Sequence, residues 1–139
     1  MPAIQKCLRI PKDIVKEIEE LVKDSKKDFT TTTNELLEEA IRAHRCPGIV
    51  FTEGVGGRRA RIAGAGIEVW EVIAAYKNAG NVLKRLAKTY HWLTPQQVKS
   101  AISYYRLYAR EIDTLIGENE SWTPERIQKK YPFLSVGER

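Results

Sequence analysis

Cysteine and long apolar runs are both scarce in this chain of 139 residues. Two cysteines, Cys7 and Cys46, cannot build the disulfide framework of a small secreted domain, and so low a count is typical of a reducing compartment. No apolar stretch approaches the roughly 20 residues of a membrane-spanning helix, and the N-terminal residues lack the apolar core of a signal peptide. The sequence therefore predicts a cytoplasmic protein that does not contact the membrane.

Negative charge is missing from one long segment, because residues 72–110 contain no Asp or Glu. The same 39 residues carry seven cations, whereas the whole chain has a net charge of only +5, so the remainder sums to −2. The seven are Lys77, Lys84, Arg85, Lys88, Lys99, Arg106 and Arg110. A solvated face usually mixes both signs, so this local excess indicates a surface that meets phosphate. We expect double-stranded DNA as the partner.

Signals for catalysis and for metal binding are weak. The glycine-rich run at residues 54–57 lacks the Gly-Lys-Ser/Thr ending of a phosphate-binding loop. His44 and Cys46 are two residues apart, but no further pair has the spacing of metal ligands. No nucleophile is accompanied by a base in a recognisable pattern. The sequence predicts no catalytic residue, no cofactor and no metal.

The first of three predicted segments is residues 1–46. Residues 4–10 alternate like a short strand, Pro11 closes it, and two helices follow with apolar residues at helical spacing. The second helix is expected to begin with a capping box at residues 32–35. One strand cannot satisfy its own backbone groups, and the same strand of a second copy is the simplest partner. We therefore expect a homodimer built on an antiparallel β-ribbon.

The order strand, helix, helix and the run Leu8-Arg9-Ile10-Pro11 resemble the ribbon-helix-helix repressors and antitoxins. The resemblance implies that the strand face holding Gln5, Cys7 and Arg9 points into a major groove. It also implies that the helix start near Thr32 and Thr33 grips a phosphate. The segment is electrically neutral, with nine basic and nine acidic residues, so a ribbon that serves dimerisation alone stays open.

The second segment, residues 47–117, is predicted to begin with a hairpin around a glycine-rich turn. Three helices follow: one over residues 67–78, a short one capped by Asn81, and a long one that Thr-Pro opens at residues 94–95 and that continues to residue 112. The last two are joined by a tight turn. This pattern predicts a helix-turn-helix-like module.

A series of short runs in this segment carries a second resemblance. The runs are Pro47-Gly48-Ile49, Arg61-Ile62-Ala63-Gly64, Gly66-Ile67-Glu68-Val69-Trp70, Leu93-Thr94, Val98 through Ala101-Ile102-Ser103-Tyr104-Tyr105, and Glu111-Ile112-Asp113. They resemble, in this order, a prokaryotic family of small antitoxin-type domains long catalogued as of unknown function. Gly64-Ala65-Gly66 departs from the family's common Gly-Thr-Arg. The resemblance implies an antitoxin paired with a small PIN-like nuclease.

Candidate base contacts lie at the start of the last helix. If Val98 faces the core, steps of about 100° per residue place Gln96 and Ser100 on the opposite side. A recognition helix contacts bases through its N-terminal part, where Gln96, Gln97 and Ser100 stand. Glutamine can bond an adenine edge in two places, and serine allows close approach. Glutamine also occurs at helix starts that contact no base, and that alternative stays open.

Candidate phosphate contacts lie beside this face and on the hairpin. Lys99, Arg106 and Arg110 line one flank of the helix, where cations would set the register on the duplex without reading its sequence. Arg58, Arg59 and Arg61 on the hairpin would reach the flanking backbone as a wing does.

The third segment, residues 118–139, is an arm of mixed character. From residue 111 onward six acids stand against four bases, and apolar residues are concentrated in an otherwise polar sequence. These residues are Trp122, Ile127, Tyr131, Phe133 and Leu134. They either pack back on the body or form a partner-binding arm that orders on contact. The sequence leaves both open.

The sequence as a whole predicts a mainly α fold with a short N-terminal β-ribbon and a small hairpin, in which a ribbon-helix-helix-like module precedes a helix-turn-helix-like module. The expected function is that of a homodimeric DNA-binding regulator of antitoxin type. It would bind a pseudo-palindromic operator in its own promoter and neutralise a PIN-like ribonuclease toxin. The alternative is a protein-only toxin inhibitor whose basic face docks on an acidic nuclease. RNA binding is not indicated, because no aromatic pair suited to stacking unpaired bases stands out.

Overall fold

The computed structural model describes residues 2–54, 57–121 and 129. These residues belong to two compact units, and the boundary between the units lies between His44 and Arg45. Six helices and one two-stranded antiparallel sheet occur in this part of the chain. They are α1 (Lys12–Lys23), α2 (Phe29–Arg45), β1 (Ile49–Gly54), β2 (Gly57–Ile62), α3 (Val69–Asn78), α4 (Leu83–Thr89), α5 (Pro95–Leu107) and α6 (Ala109–Glu120). The prediction of a mainly helical fold with a small hairpin is confirmed. None of these helices is both long and apolar enough to cross a bilayer.

The first unit contains α1 and α2 but no strand. Residues 4–10 form neither helix nor strand, so the predicted N-terminal ribbon is wrong for the single chain, and the strands follow α1 and α2 instead. The physical reason is that a lone strand has no neighbour with which to exchange backbone hydrogen bonds. Pro11 still marks the helix start, because α1 begins at the next residue.

The start of α2 lies three residues before the predicted one. Asp28 precedes the helix, and its Oδ1 accepts a hydrogen bond of 2.8 Å from the backbone N–H of Thr31. This bond lowers the pKa of the Asp28 carboxyl. The capping box predicted at Thr32 is therefore wrong: Asp28 is an equally good N-cap residue that comes earlier in the chain, and both Thr32 and Thr33 lie inside α2.

The apolar faces of α1 and α2 are open. Ile18 is the one buried apolar side chain among the described residues of this unit, whereas Ile14, Leu21 and Leu37 are 47%, 50% and 54% exposed. These faces border a groove of about 590 Å³, here called the N-terminal groove. Its lining residues are Leu8, Arg9, Ile10, Pro11, Ile14, Glu17, Ile18, Leu21, Thr33, Leu36, Leu37 and Ala40. A unit of this size with so little buried surface falls short of a self-sufficient core.

The second unit has a closed core around α3. The hairpin pairs in register from Ile49 opposite Ile62 to Gly54 opposite Gly57, and its inward side chains pack against helices. Helix α3 contacts β2, α4, α5 and α6. The fully enclosed side chains of this core are Tyr104, Ile62, Ile73, Leu86, Ile112, Val69, Val72 and Cys46. Cys46 is buried among these core side chains, and its burial raises the pKa of its thiol.

The predicted long last helix is two helices. Helix α5 ends at Leu107, Tyr108 leaves the helical conformation with φ −127° and ψ 42°, and α6 begins at Ala109. The change of direction lets α6 pack against α3 and bury Ile112. Tyr104 spans the bend and donates a hydrogen bond to Glu111 Oε2 at 2.5 Å. Apolar spacing alone could not reveal this break, since both helices keep the same kind of apolar residues.

The prediction that Asn81 caps α4 is wrong. Asn81 has a positive φ of 61° and follows Gly80 at φ 67°, so both residues belong to the left-handed turn that ends α3. Asparagine tolerates this conformation better than other residues with a side chain. The N-cap of α4 is Val82, whose side chain forms no capping hydrogen bond.

Candidate nucleic-acid interface

The buried side of α5 is Ser100, Ala101 and Tyr104. Val98, which the sequence prediction placed at the centre of the buried face, is only half-buried, and the helix is rotated from the predicted phase. The reason is that Gly48 and Ser100 are both small, so that α5 approaches the chain segment just before β1 closely. A Cβ built on Gly48 would lie 3.0 Å from Ser100 Oγ.

Ser100 is a structural residue in this arrangement. It is 8% exposed, and its Oγ lies 3.2 Å from the carbonyl oxygen of Pro47 and 3.0 Å from that of Gln96. Its hydroxyl proton can be donated to either carbonyl. The prediction that Ser100 faces outward at the start of a recognition helix is wrong, because this side chain ties α5 to the chain segment that precedes β1.

Gln97 is also engaged by the fold. The predicted helix start at Thr94 and Pro95 is confirmed, and Gln97 completes its capping box. Its Oε1 accepts a hydrogen bond from the Thr94 backbone N–H at 2.9 Å, and the Thr94 Oγ1 accepts one from the Gln97 N–H at 3.1 Å. The Gln97 Nε2 donates to the carbonyl of Ala63 at 3.4 Å. A side chain held by these bonds is not free to read a base.

One polar stripe remains on the solvent side of α5. Gln96, Lys99, Ser103 and Arg106 are all exposed, and their spacings of three, four and three residues keep them within an arc of about 80°. The stripe combines two cations, Lys99 and Arg106, with two uncharged side chains that can form hydrogen bonds, Gln96 and Ser103. It is the face of α5 that can meet another molecule.

Helix α4 carries three further exposed cations, one of which lies near Lys99. Lys84, Arg85 and Lys88 are exposed, and Lys84 of α4 and Lys99 of α5 border one shallow groove of about 270 Å³. We call it the α4–α5 groove. It is lined by Leu83, Lys84, Ala87, Leu93, Pro95, Val98 and Lys99. The groove has no acidic residue in its lining, so cations from two helices converge without neutralisation there.

The cations of α4 and α5 form no ion pair within the described part of the chain; the pairs found there involve other residues. The acid-free window was the sequence signal for this surface. Lys84 of α4 borders the α4–α5 groove together with Lys99, and Arg85 and Lys88 are exposed on the same helix, although the sequence analysis assigned these three cations no individual contact. Their exposure on one short helix, with no acid nearby in sequence, is the signal that identifies them.

Lys77 is the exception among the cations of the window. Its Nζ donates to Asp113 Oδ1 at 2.8 Å, and Tyr105 donates its hydroxyl to the same oxygen at 2.8 Å. The Lys77 Nζ also lies 4.8 Å from the centroid of the Tyr105 ring. The hydrogen bond to Asp113 raises the pKa of Lys77, and the bond from Lys77 lowers the pKa of Asp113. Lys77 therefore links α3 to α5 and α6, and we do not count it among the cations that could bind phosphate.

The hairpin arginines are mostly engaged within the protein. Arg58 lies opposite Glu53 in the register and pairs with it at 3.6 Å, and its Nη2 donates to the carbonyl of Phe51 at 3.3 Å. Arg61 donates from Nη1 to the carbonyl of Gly66 at 3.1 Å and is half-buried. Arg59 is half-buried as well. The predicted wing is thus a weaker site than the stripe on α5.

Of the DNA contacts predicted in the first unit, those on residues 4–10 are exposed and those on α2 have enclosed hydroxyl groups. Gln5 and Arg9 are exposed, and Arg9 borders the N-terminal groove. Thr32 is buried, and the hydroxyl oxygens of Thr32 and Thr33 are both enclosed without a hydrogen-bond partner in the described part of the chain. The actual start of α2 already holds the carboxylate of Asp28, which would repel a phosphate. The predicted phosphate site near the two threonines is therefore misplaced.

The remaining predicted contacts lie outside the described residues. They are the proposed partner-binding residues Trp122, Ile127, Tyr131, Phe133 and Leu134. Among the residues that the structure does describe, no three His, Cys, Asp or Glu side chains are grouped so that they could hold a metal ion.

Comparison with known proteins gives one family. Residues 49–105 match the family described as protein of unknown function (DUF433). No curated protein and no solved structure gives a significant match. The match agrees with the resemblance found for residues 47–117, over a shorter range, and covers β1 through most of α5. The segment that carries the convergent cations and the α4–α5 groove is thus the segment similar to this family.

Proposed function

We propose that the protein is a homodimeric DNA-binding regulator of antitoxin type, which acts by binding and not by catalysis. The observation that carries the DNA assignment is the approach of Lys84 and Lys99 to one groove, with further exposed cations on the same two helices and no acid within either helix. A surface of this kind attracts a polyanion through phosphate contacts and released counterions.

The contacts divide by chemistry. Lys84, Lys88, Lys99 and Arg106 bind phosphates and position α5 on the duplex. Gln96 and Ser103, which share the exposed stripe of α5 with Lys99 and Arg106, reach base edges in the major groove. The hydrogen bonds that hold Gln97 and Ser100 keep the start of α5 in place and supply no base contact.

The dimer rests on the first unit. Residues 4–10 lie in neither a helix nor a strand, and the apolar faces of α1 and α2 are exposed. A second copy supplies an apolar surface for these faces and a strand edge for residues 4–10. The resulting two-fold symmetry would match a pseudo-palindromic operator. The antitoxin role and a PIN-like nuclease as the target are supported by the sequence resemblance of residues 47–117. The C-terminal arm is the proposed contact with that target.

The test of DNA binding is a fluorescence anisotropy titration with duplex DNA from the promoter of the protein's own gene, repeated over a range of salt concentrations. The four phosphate contacts predict a slope of log K against log salt near −4 for each protomer. Lys99→Ala and Arg106→Ala should each reduce the slope by about one and weaken all sequences alike. Gln96→Ala should leave the slope unchanged and relax the preference at one base pair.

Binding that is insensitive to salt would rule out the phosphate contacts. A protein that binds no DNA at low salt, yet neutralises a nuclease, would support the protein-only inhibitor in its place. The matched control is Lys77→Ala, because Lys77 is paired with Asp113 and its removal should leave the salt slope unchanged.

A further inference from the structure

The floor of the α4–α5 groove is apolar, which phosphate binding does not explain. Leu83 is 51% exposed, and Ala87 and Pro95 are exposed beside the half-buried Val98. Phosphates and sugars lie on the outside of a duplex, so DNA contacts would use the lysines at the rim and leave the floor uncovered. An exposed apolar floor between cations is typical of a surface that receives another apolar group.

The size of the groove limits what it can receive. Its volume of about 270 Å³ is at or below the lower end of the roughly 300–1,000 Å³ of small-molecule sites. It is open and has no polar side chain in its lining apart from the two lysines. Such a groove suits a few apolar side chains of a peptide segment better than an entire cofactor.

The charge of the rim selects the partner. Lys84 stands on the α4 side and Lys99 on the α5 side, so a segment lying between the two helices would need carboxylates on both flanks of its apolar residues. Residues 122–139 of this chain are a poor match, because they contain four basic and only two acidic residues. The charges therefore argue against this segment as the occupant of the groove.

From this combination we infer that the α4–α5 groove docks an acidic amphipathic helix of a partner protein. Apolar side chains of that helix enter between Leu83 and Val98, and its flanking carboxylates pair with Lys84 and Lys99. This is the helix-in-groove mode of recognition, with cations at the rim to fix orientation. The inference does not require that the same surface also binds DNA.

The probe is a synthetic helical peptide with leucines at positions i, i+3, i+4 and i+7 and glutamates on both flanks, titrated into the 15N-labelled full chain. We expect saturable amide shift changes centred on Leu83, Ala87 and Val98. A peptide with lysine in place of each glutamate, and one with serine in place of each leucine, should leave these amides unmoved. The two controls separate charge attraction from apolar docking.

Variants of the chain sharpen the test. Leu83→Ser and Lys99→Glu should each weaken the peptide at least about tenfold. The matched controls are Leu107→Ser, which alters an equally exposed leucine outside the groove lining, and Lys88→Glu, which reverses a cation of α4 outside that lining. Both should bind the peptide as the unaltered chain does. Lys88→Glu should nevertheless weaken DNA, so that failure of DNA binding and failure of peptide docking are told apart.

Three results would overturn the inference. One is the absence of shifts at millimolar peptide. Another is equal binding of the serine peptide, which would reduce the groove to a patch of charge. The third is a set of shifts at Leu83 and Val98 produced by duplex DNA and not by the leucine peptide, which would assign the floor to the nucleic acid.

Discussion

The helices of the two units differ greatly in how far their apolar side chains are buried. In the second unit α3 is enclosed by the hairpin and three other helices, and Val69, Val72 and Ile73 have no exposed surface. In the first unit α1 and α2 are polar on average and each has one strongly apolar face, yet Ile14, Leu21 and Leu37 on these faces remain about half exposed.

This difference in burial shows which unit can be stabilised by its own contacts alone. The second unit has enough elements to surround one helix, so its stability comes from its own contacts. The first unit has only two helices, and two helices cannot cover each other on more than one side. We therefore expect the second unit to be sensitive to loss of core volume and the first to be sensitive to whatever binds its open face.

The largest expected effect is a cavity in the core of the second unit. Ile73→Ala should lower the free energy of unfolding by about 2–5 kcal/mol, because a fully buried side chain is replaced by a void. Ile14→Ala in α1 removes the same atoms from a half-exposed position and should cost less than half as much in dilute solution. Chemical denaturation followed by circular dichroism measures both. Equal losses would mean that the first unit is as tightly packed as the second.

The next effect is on self-association. Leu37→Glu places a charge in the N-terminal groove and should weaken dimerisation at least about tenfold, since an unpaired charge cannot be buried cheaply. Sedimentation equilibrium over a concentration series measures the change. Asn34→Glu is the control, because Asn34 is exposed on α2 and does not line the groove. If both variants dimerise like the unaltered chain, the open face is not the dimer interface.

A smaller effect is expected where α5 approaches the start of the hairpin. Gly48 has φ 93°, and an added Cβ would meet Ser100 Oγ at 3.0 Å. Gly48→Ala should therefore destabilise the second unit by about 1–3 kcal/mol through backbone strain and crowding. In the Ser100→Ala background, which has already lost the Ser100 hydrogen bond, Gly48→Ala should cost less, because only the backbone strain then remains.

Thermal unfolding of the single and double variants separates the two contributions. The matched control is Gly117→Ala in α6, where a Cβ meets nothing within 4 Å and alanine favours the helix by up to about 1 kcal/mol. A stable Gly48→Ala variant would show that the close approach of α5 is not required.

Much of this organisation could be predicted from the sequence. Helical spacing predicted the helices, Thr94-Pro95 predicted the start of α5, and the acid-free window predicted the basic surface. What could not be predicted depended on tertiary contacts. The rotation of α5 about its axis depends on the packing of Ser100 against residues 47 and 48. The bend at Tyr108 depends on the burial of Ile112 against α3.

The candidate site shows the same division. Composition could predict that cations gather in residues 72–110, but only the fold reveals that Lys77 is paired and that Gln97 caps its own helix. Likewise, an apolar groove between α4 and α5 arises from two short stripes that each predict only core packing. Single-helix patterns cannot distinguish a buried stripe from one left open by the packing of its neighbours.

The smallest expected effect tests whether the second unit depends on its surface ion pair at all. The pKa of Asp113 is lowered by Lys77, so its contribution to stability is present above the ordinary carboxyl pKa of 3.8 and is lost as the pH falls through the lowered value. The pKa of Lys77 is raised, so its contribution is present below 10.5 and is lost as the pH rises through the raised value. Because both side chains are about half exposed, Asp113→Asn should cost under about 1 kcal/mol at neutral pH. Denaturation across pH should show the two proteins converging in acid; a difference that persists at low pH would assign the effect to the hydrogen bond from Tyr105 instead.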